Sequence, residues 1–284
     1  DGDVHVGTLL RSLSKGPGPV VSRPMHDPDP EYSDEVVDYL QLFRGEGFLS
    51  PGGADETRLV LDRVDIAGKR VLEVGSGLGG CCLIIAGERG AAEVLGLDVE
   101  PVVLERARRS VEAAGLADRV SFRQVEPGPL PVADASFDVV FSKDAMCHIE
   151  DKPALYAELF RVLVPGGRLA IADWLVRDDE PRSPEMDEFI GTTALSFHLD
   201  SLDGMARGLV AAGFVDVEVV NRNEWFREEA RREAELLEGP LLAEVEQLRG
   251  AEATARSNEC QWQMIAVLDS GEFCPAHAFA RKPG

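Results

Sequence analysis

The chain has no apolar stretch approaching the ~20 residues of a membrane span. Basic residues are scarce as well: 29 Lys and Arg stand against 51 Asp and Glu, for a formal charge of −22. Only Lys15, Lys69, Lys143, Lys152 and Lys282 supply lysine. Nucleic acid and anionic membranes both need a basic footprint, so neither is expected as a partner. The acidity suits a cationic cofactor or substrate by steering, and equally an adaptation for solubility in salt. Cysteine is sparse and patternless. Five thiols form no framework, and adjacent Cys81 and Cys82 cannot make a C-x-x-C site, so reduced thiols in a cytoplasmic protein are the simplest reading. No His/Cys pair has a zinc-ligand spacing and no G-x-S-x-G elbow occurs, so neither a metal nor a serine hydrolase is expected. No signal peptide is in view, and a start at Asp1 without methionine leaves room for an upstream segment. Internal repeats and low-complexity tracts are also lacking. The oligomeric state is not legible.

What is present is concentrated in residues 71–80, VLEVGSGLGG, followed by Asp98 in VLGLDVE. VLEV suits a buried strand, and the glycines open the next helix while letting a ligand approach without meeting a Cβ. Asp98 ends a second strand, where its carboxylate can accept from two ribose hydroxyls. A bare G-x-G-x-x-G does not choose among cofactors. Glu73, two residues before Gly75, does. A carboxylate there repels a pyrophosphate and attracts an ammonium and a sulfonium. The run Glu73, Gly75, Ser76, Gly77 therefore resembles the first motif of class I S-adenosylmethionine-dependent methyltransferases. A nicotinamide-binding turn and a turn that binds nothing are the alternatives.

The remaining pattern predicts an α/β fold: a doubly wound, Rossmann-like methyltransferase sheet, mostly parallel with an antiparallel last strand, plus a helical lid. Residues 1–30 read as loop or arm, with a helix from about Ser33 to Phe43. Helices at 54–64, 79–88, 101–114 and 152–163 alternate with strands at 70–74, 93–97, 119–124, 137–142 and 168–173. Residues 176–202 read as polar and irregular, then helix 203–212 and strand 213–220. The charged stretch 223–250 reads as a helix pair broken near Gly239-Pro240, and 271–282 as a closing antiparallel strand. The expected regions are an arm and lid at 1–53, the cofactor-binding core at 54–175, a substrate-lid insertion at 176–202, and completion of the sheet at 203–284 with a helical lid insertion at 223–260.

FDVVFSKDAMCHIEDKPALYAELFRVLVPGGRLAIADW (137–174) resembles the central block of phosphoethanolamine N-methyltransferases and of sarcosine/dimethylglycine N-methyltransferases. EYSDEVVDYLQLFRGEGFLSPGG (31–53) is similar to the amino-terminal segment of the former. The resemblance implies S-adenosylmethionine as cofactor. Position by position it gives Glu73, Gly75, Ser76 and Gly77 to the first motif and Asp98 to the ribose. Val99 and Val125 fall beside the adenine, and Glu126 at its amino group. It puts Ser142 and Lys143 in the crevice and Ser50 near the methionine part. It also implies a catalytic set of Asp144, His148 and the lid tyrosine Tyr32, which bonds the histidine. Trp174, Phe197 and Tyr39 are expected at the methyl acceptor, with His198, Asp200 and His277 as polar candidates.

Asp144 and His148 are four apart and share one face of a helical turn. An alkylammonium with a pKa near ~10.4 has no lone pair for attack until a base near neutrality takes its proton. The phosphate anchors of the phosphoethanolamine enzymes are missing: Trp174 follows IAD, 190–202 holds no Arg or Lys, Leu195 and Phe197 stand where an arginine and a tyrosine are expected, and the stretch WQMIAVLDSGEF has no lysine after Trp262. A buried phosphate dianion without cations costs several kcal/mol. The expected reaction is N-methylation of a small amine or amino acid. Methylation at oxygen, sulfur or carbon of a specialised metabolite, or a non-methylating reaction such as cyclisation, is the alternative.

Overall fold

Ser33 accepts the Val36 N–H at 3.3 Å and starts α1 (Asp34–Arg44), whose first turn carries Asp34 and Glu35 on the favourable end of the helix dipole. This computed structural model describes residues 32–193 and 195–284. The expected arm at 1–30, Glu31 of the similar amino-terminal segment, and Ala194 of the insertion lie outside the described residues. After α1 come α2 (Gly53–Leu61), β1 (Arg70–Val74), α3 (Gly80–Leu83) continuing as a π turn over Ile84–Glu88, β2 (Glu93–Asp98), α4 (Pro101–Ala113), β3 (Val120–Gln124) and β4 (Phe137–Lys143). A 3₁₀ turn (Met146–His148) leads into α5 (Lys152–Val162), β5 (Leu163–Asp173), α6 (Pro184–Thr193), α7 (Leu202–Ala211) and β6 (Val215–Asn221). Then follow α8 (Asn223–Glu238), α9 (Leu242–Arg249), α10 (Ala251–Asp269) and β7 (Ala276–Arg281).

The sheet order is β3-β2-β1-β4-β5-β7-β6. β7 runs antiparallel to both β5 and β6, and the other pairs are parallel. β7 closes the chain and inserts between two earlier strands. Successive residues of a strand face opposite sides. Leu72 and Val140 therefore pack under α5 with Leu159 and Leu169, while Val71, Val139 and Phe141 pack on the other face with Ile85 and Leu61. Central strands buried on both faces read as continuous apolar runs, which is why β1 and β4 were legible. β1 pairs with β2 on one side and β4 on the other, so the strand order reverses there and a crevice opens beyond the strands' carboxyl ends.

The segment read as irregular contains α6, a correction. Its Met186 and Phe189 pack with Met264, Ile265 and Leu268 of α10 and Phe226 and Ala230 of α8, giving a separate apolar cluster beyond the sheet. Among the described residues, no helix is long and apolar enough to cross a membrane.

Candidate active site

Gly75 and Gly77 have φ of 76° and 48°, the left-handed region that costs a side chain strain. A Cβ on Gly75 would lie 2.1 Å from the Ala145 Cβ, so the turn can pass β4 only with glycine there. Because the turn curls back over β2, the Gly77 amide donates to Asp98 Oδ2 at 2.7 Å, and the Glu100 amide donates to Oδ1 at 3.0 Å. Burial raises the Asp98 pKa against these amide bonds. A carboxylate accepts about four hydrogen bonds, so capacity remains for two hydroxyls. Ser76 Oγ is buried with no partner. Val99 is 45% exposed beside this carboxylate, an apolar surface left open at the end of β2. Val125 is half-buried and Glu126 exposed, just past β3.

Glu73 lies fully inside, accepting from the Cys82 thiol at 2.8 Å, and burial pushes its carboxyl up to about 8. Asp98 adds to that rise and Lys143 opposes it, so all three share one field. Lys143 Nζ donates to Asp144 Oδ2 at 2.6 Å, to Ser50 Oγ at 2.6 Å and to the Pro51 carbonyl at 3.1 Å. Both side chains of the Lys143–Asp144 pair are 3% exposed. The other oxygen of Asp144 is buried without a partner. The loop 45–53 is thereby tied to the end of β4, and the Gly80 amide donates to the Gly47 carbonyl at 3.2 Å. Ser142 is different from the expectation: its hydroxyl is buried and donates to the Val74 carbonyl at 2.7 Å, joining β4 to β1 where their ladder ends. It holds the crevice wall together and has its donor already spent.

The His148 ring is stacked on Phe197, centroids 5.2 Å apart, with Nδ1 2.9 Å from the Ser196 carbonyl. A carbonyl only accepts, so Nδ1 is the donor in this bond, and whenever the ring is neutral its lone pair lies at Nε2. Asp98 and His148 are close enough that a positively charged His148 ring would lower the Asp98 carboxyl's pKa. Tyr32 lies half-buried against Val37, Leu78 and Val103, on the glycine-turn side. The partners described for the His148 ring are Ser196 and Phe197.

Of the expected acceptor contacts, Phe197 alone keeps a half-exposed ring. Trp174 is closed into the lid cluster, stacked on Phe273 at 4.8 Å and edge-on to Phe226 at 5.2 Å. Tyr39 is buried with Phe43, Leu237 and Val245, beneath the Arg249 guanidinium at 4.5 Å. Both rings are thus mostly covered by protein neighbours in this structure. His277 and Asp200 are likewise committed, to Glu56 Oε1 at 2.6 Å and to the Tyr156 hydroxyl at 2.8 Å. The His198 amide donates to the Cys147 carbonyl at 2.7 Å.

The sequence reading missed a buried ion cluster. Arg222 donates to Glu56 at 2.8 and 3.1 Å, opposite His277, and lies over the Trp225 ring at 5.1 Å. Burial raises the Glu56 pKa, but the bonds from His277 and Arg222 outweigh it and the net shift is downward. Lys152 and Asp173, beside the 144–148 turn, were missed too. The only sequence signal for Lys152 was a lysine at the wrong end of a helix dipole.

Residues 66–200 match a family described as a methyltransferase domain. The chain carries a methyltransferase domain. It is 32% identical over 207 residues to phosphoethanolamine N-methyltransferase 1 of Arabidopsis thaliana, covering 72% of this chain and 41% of that protein. It is 36% identical over 182 residues to methyltransferase GfsG of Streptomyces halstedii, covering 63% of this chain and 65% of the other. A structure of Haemonchus contortus phosphoethanolamine N-methyltransferase 2, with phosphomonomethylethanolamine and S-adenosylhomocysteine, matches with a TM-score of 0.81 at 25% identity, covering 89% of this chain and 59% of that one. The methyltransferase chain thus spans about two fifths of the plant relative. The Rossmann-like sheet expected from the sequence is the fold these relatives share.

Proposed function

We propose that the chain is an S-adenosylmethionine-dependent methyltransferase of a small molecule, acting at an amine nitrogen of an amine or amino acid. The residues fit the cofactor. Glu73 senses both Asp98 and Lys143, and Lys143 is paired with Asp144, an acidic setting that suits a cation, while Ser76 Oγ and Asp144 Oδ1 are buried without partners. Asp98 would hold the ribose, Val99 and Val125 the adenine face, Glu126 its amino group, and Glu73 with Ser50 the amino-acid end. S-adenosylmethionine supplies the methyl group as an electrophilic sulfonium. A pyrophosphate cofactor is disfavoured by the same carboxylates.

The observation that carries the reading is the His148 ring, oriented by the Ser196 carbonyl so that a neutral Nε2 is free to take a proton. Asp144, in the same turn, would hold the ammonium through its open oxygen until His148 deprotonates it. Positioning then does most of the remaining work. Tyr32 would close the amino-terminal side. An alcohol acceptor uses the same base, and the Phe197 ring against His148 suits an apolar acceptor, so oxygen is the second candidate atom. Phosphoethanolamine is a poor fit. Arg222 is paired with Glu56, Lys143 with Asp144, and Arg44 with Glu233, so these cations already have acids as partners. The acidic surface and the five unpaired thiols suit a cytoplasmic enzyme without nucleic-acid or membrane partners.

The test is transfer of an isotopically labelled methyl group from S-adenosylmethionine to a panel of amines, amino acids, phosphoethanolamine and hydroxylated acceptors, with products identified by mass spectrometry. Labelled amines support the reading. Label confined to oxygen, or efficient turnover of phosphoethanolamine, overturns it.

A further inference from the structure

The turn bearing Asp144 and His148 is irregular, with Asp144 at φ 53°, so it cannot hold its own shape by helical hydrogen bonds alone. External bonds fix it. The Asp144 amide donates to the Ala172 carbonyl at 2.8 Å and the Cys147 amide to Asp173 Oδ1 at 3.3 Å. On the opposite side Lys152 Nζ donates to the Met146 carbonyl. The Ser196 carbonyl and the His198 amide then meet the turn from the lid side.

Lys152 occupies an expensive position. It is the first residue of α5, where the helix dipole repels a cation. It is also largely desolvated, and burial lowers its pKa. Asp173 at the end of β5 and Asp200 on the lid-root segment oppose that fall. Asp200 is itself fixed by the Tyr156 hydroxyl and by the Ser201 amide at 2.9 Å. Asp173 is buried, one of its oxygens has no hydrogen-bond partner, and Lys152 is its nearest counter-charge by effect. Lys152 therefore holds the turn at Met146 and Asp173 holds it at Cys147, while the lid-side segment meets it through Ser196 and His198.

We propose that Lys152, with Asp173, is a positioning residue that clamps the 146–148 turn against the lid root and so fixes the tautomer and orientation of His148. The proposal rests on His148 being the base, but its effect on the ring is measurable without an acceptor. Without the clamp, the Ser196 carbonyl and the His148 ring no longer share a fixed frame, and the ring relaxes toward the Nε2–H form usual for free imidazole.

The experiment is nitrogen-15 histidine NMR on the full chain above the imidazole titration range, with the His148 signals assigned by their loss in His148→Gln. In the wild type His148 is expected mainly as the Nδ1–H tautomer. In Lys152→Met that form should become the minority, and Lys152→Arg, which keeps the cation, should restore it. Calorimetry with S-adenosylhomocysteine should give an affinity within about twofold of wild type, because the clamp lies away from Asp98. If Lys152→Met does not fold, the isosteric Asp173→Asn removes the counter-charge and is expected to shift the tautomer in the same direction. A folded variant of either kind that keeps His148 as Nδ1–H overturns the clamp, as does a wild type already in the Nε2–H form. If the tautomer shifts as expected but His148→Ala keeps full methyl transfer, the clamp stands and the base assignment falls.

Discussion

Two buried carboxylates on neighbouring elements have opposite fates. Glu73 on β1 is held up to about 8, its described hydrogen bond coming from a thiol, while Glu56 on α2 is held below the usual range by Arg222 and His277. Both are buried from solvent, Glu73 the more deeply, and only Glu56 has cationic donors to offset that burial. Around Glu73 the neighbourhood is unfinished, with Ser76 Oγ and Asp144 Oδ1 unpartnered. Around Glu56 the ion cluster closes on itself and ties α2, β7 and the start of α8 together. A polar centre left open is where a ligand completes the structure, and one already closed is architecture.

Substitutions can break that contrast. The largest effect is expected on the open side: His148→Ala should lower kcat by ~10²–10⁴-fold in labelled-methyl assays, with S-adenosylhomocysteine affinity retained. A variant keeping the full rate would make His148 a packing residue. On the closed side, Glu56→Ala leaves Arg222 and His277 facing each other. It should cost roughly 3–5 kcal/mol in denaturant unfolding and leave ligand affinity of the folded fraction near wild type. Loss of affinity without loss of stability would invert the two roles.

Asp98→Ala should weaken S-adenosylhomocysteine binding by about ten- to a hundredfold, the ~1–3 kcal/mol of hydroxyl donors left unpaired. Tight NAD binding instead would point to a nicotinamide site. The smallest effect is a proton. The folded Glu73 carboxyl titrates at about 8, against about 4.5 unfolded, so the folded state holds the extra proton between those values. Unliganded stability should therefore fall as pH rises from about 4.5 to about 8, visible in thermal unfolding. A bound ammonium favours the ionised form. Affinity should accordingly rise about fivefold from pH 7 to pH 8 with proton uptake by the buffer, and Glu73→Gln should flatten both dependences. An unchanged slope in that variant assigns the proton elsewhere.

The readable parts of the molecule were the local ones. VLEVGSGLGG and VLGLD carry strand, turn and acid within short stretches, and β4 carries its apolar run with Lys143 and Asp144 at its end. α6 and α10 were not readable in the same way, because Met186 and Phe189 find Met264 and Leu268 only across a long stretch of chain. Trp174 and Tyr39 show the limit of matching positions. Each falls where a relative would place an acceptor contact, yet neighbours that sequence alone does not bring together, Phe273 for one and Leu237 for the other, have closed over them. The orientation of His148 was invisible for a simpler reason. Its partner is a backbone carbonyl, which any residue at position 196 would supply.

The loop 45–53 is expected to set timing as well as shape. Leu49 lies within 3.5 Å of where a Cβ on Gly77 would stand, and Ser50 and Pro51 hold Lys143, so a ligand reaching the glycine turn must exchange past a segment pinned at both ends. Release of spent cofactor is then expected to follow the opening of that segment. The expected signature is a first turnover faster than those that follow, with the loop's release acting as the clock of the cycle.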